Sequence, residues 1–128
     1  MDTDFSSLLP QNIDHSSFLP KVLEKLFPQQ ELRETVIGIL GEYGRKEFHL
    51  EIPRVHLGIL KLAGSDVESV KRWTSLACLD WRDLLIEAEY RYSFGKDKLR
   101  DRDPEEYAKL ERKEQNEYRQ WLVKLLAT

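Results

Sequence analysis

The run from Pro53 to Ala63 constrains this chain most. Val55, Leu57, Ile59, Leu60, Leu62 and Ala63 put apolar side chains on most sides of any helix drawn through it. Such a helix is stable only when neighbours cover it nearly all round, so it belongs in the middle of a domain. The remaining chain must then supply amphipathic elements to wrap it.

It does so on both sides. Leu19, Val22, Leu23, Leu26 and Phe27 form one apolar face, with Ser17 as a candidate N-cap, Pro20 in the first turn and Pro28 as a stop. Leu32, Val36, Ile39, Leu40 and Tyr43 recur at spacings of three and four over residues 29–43, which predicts a second helix ending at Gly44. Gly38 and Gly41 lie inside that pattern, each costing about 1 kcal/mol relative to Ala. The expected reason is close approach of another backbone. Residues 45–53 read either as a turn of helix broken by Pro53 or as a bend.

Beyond the central helix, Ser65 and Glu68 fit a capping box, and Val67, Val70, Thr74 and Ala77 mark one face of a helix reaching about Leu79. Asp80 is a fresh N-cap for a helix with Leu84, Leu85 and Ala88 facing inward. Residues 93–103 read as a charged loop. Asp103-Pro104-Glu105-Glu106 is the strongest helix start in the chain: a cap, a proline at the first position, then acids in the first turn. Tyr107, Leu110, Tyr118, Trp121, Leu122 and Leu125 carry a stripe along this last helix, interrupted by Glu114. The expected fold is all-α: a single domain over residues 16–128 with five to six helices and a long amphipathic C-terminal helix, after a loose leader over residues 1–15 in which Phe5, Leu8 and Leu9 can dock on the body. The last helix either packs its stripe across the others or projects to pair with a second copy.

The length suits one domain, because 128 residues can close a core without disulfides or a metal. A hydrophobic fraction of 41% argues against wholesale disorder, and a charged fraction of 34% predicts well-solvated helix faces. Residues 1–92 carry 11 basic and 15 acidic groups, and residues 93–128 carry 9 and 8. Neither balance offers the concentrated positive patch that nucleic acid requires. No stretch approaches the roughly 20 apolar residues of a membrane span. One cysteine, Cys78, gives no intramolecular disulfide and no metal-binding pair, which points to a reducing, cytoplasmic compartment.

Two stretches, Arg54-Val55-His56-Leu57-Gly58-Ile59-Leu60-Lys61-Leu62-Ala63-Gly64 and Asp80-Trp81-Arg82-Asp83-Leu84-Leu85-Ile86-Glu87-Ala88-Glu89, resemble a group of small bacterial helical proteins. Their pattern is R-V-x-L-A-I-L-K-L-x-x-G, a linker helix, then D-Y/W-R-D-V/L-L-x-x-A-E. The resemblance covers residues 54–90, with Gly58 where Ala is usual and Trp81 where Tyr is common. It implies a helical fold and assigns no activity and no site residue.

Cofactor and metal chemistry find no motif. His15, His49 and His56 make no His-Glu-x-x-His or Glu-x-x-His arrangement, and no phosphate loop, dinucleotide fingerprint or nucleophile elbow occurs. Cys78 reads as a small core residue. Asp80, Asp83 and Glu87 are spaced three and four apart, so their carboxylates share a helix face. Crowded in a cleft they would supply an acid or base; bonded to backbone N–H groups they are a helix start. Tyr90, Arg91, Tyr92 and Phe94 have the residue types of a binding hot spot beside the charged segment. The alternative is ordinary core filling. The functional expectation is a non-enzymatic protein-interaction module whose partner is a second copy or another protein, with a small enzyme or ligand binder having an acidic site near Asp80, Asp83 and Glu87 as the alternative, and nucleic-acid binding, which needs a contiguous basic face, as the third.

Overall fold

The computed structural model describes residues 9–127. Seven helices follow one another: α1 (His15–Leu26), α2 (Gln30–Leu40), α3 (Ile52–Ala63), α4 (Val67–Leu79), α5 (Trp81–Glu89), α6 (Asp97–Arg102) and α7 (Pro104–Leu126). There is no strand among the described residues. Phe5 and Leu8 lie outside them.

α3 is the central element, as its all-round apolar surface requires. It packs against α1, α4 and α5, and Val55, Leu57, Gly58, Ile59 and Leu60 are all buried. Each large aliphatic side chain taken fully from water contributes about 1.5–3 kcal/mol. The crossing with α5 is tight at Gly58. A Cβ there would sit 2.9 Å from Leu84 Cδ1 and 3.2 Å from Ala88 Cβ. The close approach expected of Gly38 and Gly41 belongs to Gly58 instead. A Cβ on Gly38 meets nothing within 4 Å, and one on Gly41 meets only carbonyls of its own helix at 3.4 Å.

Four aspartates set helix starts. Asp14, not Ser17, caps α1 by accepting the Ser17 N–H at 3.3 Å, while the Ser17 hydroxyl donates to the same carboxylate at 2.7 Å. Ile13, just ahead of it, is buried in the core. Asp66 rather than Ser65 precedes α4, and its carboxylate takes the Ser69 hydroxyl at 2.6 Å. Asp80 and Asp103 act as their sequence context predicts, accepting the N–H groups of Arg82 at 3.0 Å and Glu106 at 3.2 Å. A carboxylate outranks a neighbouring serine here because it also meets the positive end of the helix dipole.

Residues 45–51 form a bend, and it is organised around Tyr43. The Tyr43 hydroxyl donates to the Leu50 carbonyl at 2.6 Å. His49 stacks on the Tyr43 ring with centroids 4.4 Å apart, and its Nδ1 accepts the N–H groups of Gly44 at 2.8 Å and Lys46 at 3.3 Å. His56 Nε2 bonds the Tyr43 carbonyl at 2.9 Å. Glu51 takes a left-handed conformation (φ 53°) that turns the chain into α3.

The charged segment 93–103, expected as loop, contains α6. Asp97 lies in its first turn and Arg100 and Arg102 in its last, the arrangement the helix dipole favours. Arg100 also stands 5.8 Å from the Tyr107 ring of α7. α7 packs on α1, α5 and α6. Its stripe includes Glu114, which is buried with Tyr118 and Leu122 at four-residue spacing.

Candidate functional site

Large apolar side chains are exposed unevenly. Leu32, Ile37, Phe48, Leu50, Ile52 and Leu79 lie on α2, the connection that follows it, the first residue of α3 and the end of α4, whereas Phe94 stands apart. Leu79 is the extreme, at 85% exposure. Its position follows from local structure. Asp80 ends α4 and starts α5 without a spacer, so the last side chain of α4 sits at a sharp corner with no neighbour to cover it.

Two recesses meet at that corner. A groove of about 820 Å³ runs between α2 and α4, walled by Thr35, Gly38, Ile39 and Glu42 on one side and Lys71, Thr74, Cys78 and Leu79 on the other. A second cleft of about 400 Å³ is lined by Phe48, His49, Leu50, Trp81 and again Cys78 and Leu79. The shared pair makes one surface of the two. Gly38 opens the groove by having no side chain over it.

The groove holds a polar anomaly. Thr35 bonds its hydroxyl back to the Glu31 carbonyl at 3.1 Å, the usual way a helical threonine satisfies itself. Thr74, on the opposite wall, is 3% exposed and its hydroxyl has no partner among the described residues. Leaving a buried hydroxyl unbonded costs about 1–3 kcal/mol. Cys78, one turn further along α4, is half-buried rather than a core residue, and burial pushes its thiol pKa up. A thiol held protonated is a poor nucleophile.

The acids read from the sequence do not converge on a cleft. Asp80 is bonded to the Arg82 backbone N–H, Asp83 is exposed, and Glu87 lies 3.6 Å from the Arg91 guanidinium on the surface. Among the described residues no three His, Cys, Asp or Glu side chains come together as a metal site would need.

The aromatic segment divides. Tyr90 packs against the core and accepts a hydrogen bond from Arg54 at 2.5 Å, and burial raises its phenol pKa. Tyr92 donates to Glu117 at 2.6 Å and lies 4.2 Å beneath the Lys113 ammonium. Its backbone N–H and that of Ser93 both reach Glu114 Oε2 at 3.0 Å, and the Ser93 hydroxyl bonds the other oxygen at 2.5 Å. Glu114 therefore clamps the turn after α5 onto α7. Arg91 and Phe94 remain exposed.

Arg54 of α3 makes the principal buried ion pair. Its Nε lies 3.1 and 2.9 Å from the two oxygens of Glu89, whose side chain has no exposed surface, and this contact holds the guanidinium pKa above its ordinary value. Tyr118 interacts electrostatically with both groups; its own hydroxyl is buried without a partner among the described residues. These groups join α3, α5 and α7 rather than forming an open site.

Leu79, Phe48 and Leu50 carry no strong functional signal in the sequence. Their signals were an apolar residue directly before an N-cap, and alternating apolar residues in a segment with no helical period. No helix of the described residues is long and apolar enough to cross a membrane. No protein-family profile, curated protein or solved structure matches the chain.

Proposed function

We propose that this chain is a non-enzymatic protein-interaction module that docks another protein chain on the face around Leu79. The supporting observation is the exposure of Leu79 between two joined recesses that also carry Phe48 and Leu50. Covering such side chains releases about 25 cal/mol per Å² of apolar surface, and contiguous exposed apolar groups rimmed by polar residues are what interaction sites present. Arg91 and Phe94 form the competing surface, but Tyr90 and Tyr92 beside them are engaged within the fold.

Tagged protein, co-expressed with an untagged copy and captured under nuclease treatment, tests the reading. A stoichiometric protein lost with Leu79→Asp and kept with Phe94→Asp supports the face proposed. Loss with Phe94→Asp alone moves the site to the Tyr90–Phe94 turn, and indifference to both refutes docking at either place.

A further inference from the structure

The groove between α2 and α4 carries three features that the fold itself does not use. Gly38 lies inside a helix, where it is costly, yet nothing within 4 Å of its missing Cβ needs the space. The Thr74 hydroxyl is buried beside the groove and unbonded. Leu79 stands 85% exposed at the groove's end. An internal glycine is explained when another backbone comes close; among the described residues none does.

We infer that the groove takes a second copy of this chain, the two copies packing face to face about a two-fold axis. This rests on reading the chain as an interaction module and names its partner.

Charge favours this occupant. Glu42 and Lys71 stand on opposite walls of the groove, and Asp80 and Arg82 line the adjoining cleft, so the face carries two acids and two bases. A strongly acidic or strongly basic partner meets two like charges on such a face. A second copy does not: an axis that exchanges Glu42 with Lys71 sets each acid against the other copy's base and folds the apolar floor onto itself. Such self-complementarity is what an isologous interface requires. Glu42 and Lys71 are free to re-pair, because their present partners, Arg45 at 3.1 Å and Glu68 at 3.2 Å, are exposed neighbours on the same stretch of chain, and pairs of that kind hold weakly.

Sedimentation equilibrium from about 1 to 100 µM, the range of ordinary reversible dimers, tests this. The expected mass rises from 15.2 kDa toward twice that value. Leu79→Asp weakens association at least about tenfold, and the exposure of Leu79 leaves the monomer's thermal melt unchanged. Glu42→Lys and Lys71→Glu each weaken association, and the double variant Glu42→Lys/Lys71→Glu restores it, because the swapped charges again meet their opposites across the axis. A wild-type chain that stays monomeric throughout overturns the inference, as does a dimer indifferent to Leu79→Asp or a double variant no better than its parents. A monomer that still captures a different protein through Leu79 overturns the second copy alone and leaves the interaction module standing.

Discussion

Arg54 and Glu89 offer the sharpest test of what holds the helices together. Glu89 has no exposed side-chain surface and Arg54 retains 15%. Removing one partner of a buried pair costs about 3–5 kcal/mol, because the other is left charged and unpaired. The two truncations differ. After Glu89→Ala, Arg54 keeps its contact with the Tyr90 hydroxyl and some access to water, so the expected cost is near 3 kcal/mol, the lower end of that range. After Arg54→Ala, Glu89 is left where water does not reach, and the cost approaches 5 kcal/mol. A domain of this kind has about 5–15 kcal/mol in all, so Arg54→Ala removes at least a third of it. The double variant Arg54→Met/Glu89→Leu removes both charges and keeps the volume, and it stays within about 1 kcal/mol of wild type. Urea unfolding followed by far-UV circular dichroism, with equal m-values across the four proteins, measures each cost. An Arg54→Ala cost below about 1 kcal/mol, or a double variant less stable than either single one, refutes the reasoning.

Three further outcomes are expected. Gly38→Ala raises monomer stability by about 1 kcal/mol through helix propensity, whereas Gly58→Ala lowers it by up to about 2 kcal/mol, because Leu84 Cδ1 can swing aside but Ala88 Cβ cannot; thermal melts that rank the two in the other order contradict the packing described. Glu114→Ala leaves the Tyr92 and Ser93 N–H groups and the Ser93 hydroxyl without their acceptor, costing about 3 kcal/mol. Amide exchange at Tyr92 and Ser93 should accelerate, and unchanged protection there would dismiss the clamp. Burial holds the His15 and His56 pKa values below the ordinary imidazole value, so the unfolded chain binds protons first as pH falls. Their contribution to stability is present above about pH 6.5 and is lost as pH drops through the depressed folded values. His56→Gln should flatten the change in urea midpoint between about pH 7.5 and 5.5, and an undiminished slope would assign the dependence elsewhere.

The fold was legible wherever one physical signal dominated. The apolar run at 54–63 marked the central helix, and Asp80 and Asp103-Pro104 marked helix starts, because periodicity and caps act locally. Competition between neighbours hid other boundaries: Ser17 beside Asp14, and Ser65 beside Asp66, differ in charge more than in capping geometry. α6 escaped notice because six residues of alternating charge carry no apolar period, and its support comes from Tyr107 on another helix. Glu114 looked like a flaw in the stripe because its partners lie 21 and 22 residues away. The candidate face was least legible of all. Leu79 and Gly38 each obey or break a local rule on their own helix, and only the packing of α2 on α4 sets them along one groove.

The order in which these helices touch also orders their folding. α3, α4 and α5 are consecutive and pack on one another, so their contacts form by closing short loops, which is entropically mild. The contact of α1 with α7 spans most of the chain and gains little until both of its helices exist. Loop-closure entropy therefore predicts that α7 docks on α1 after the contacts around α3 have formed. Tyr118 and Leu122 would then report late events, their substitution speeding unfolding more than it slows folding.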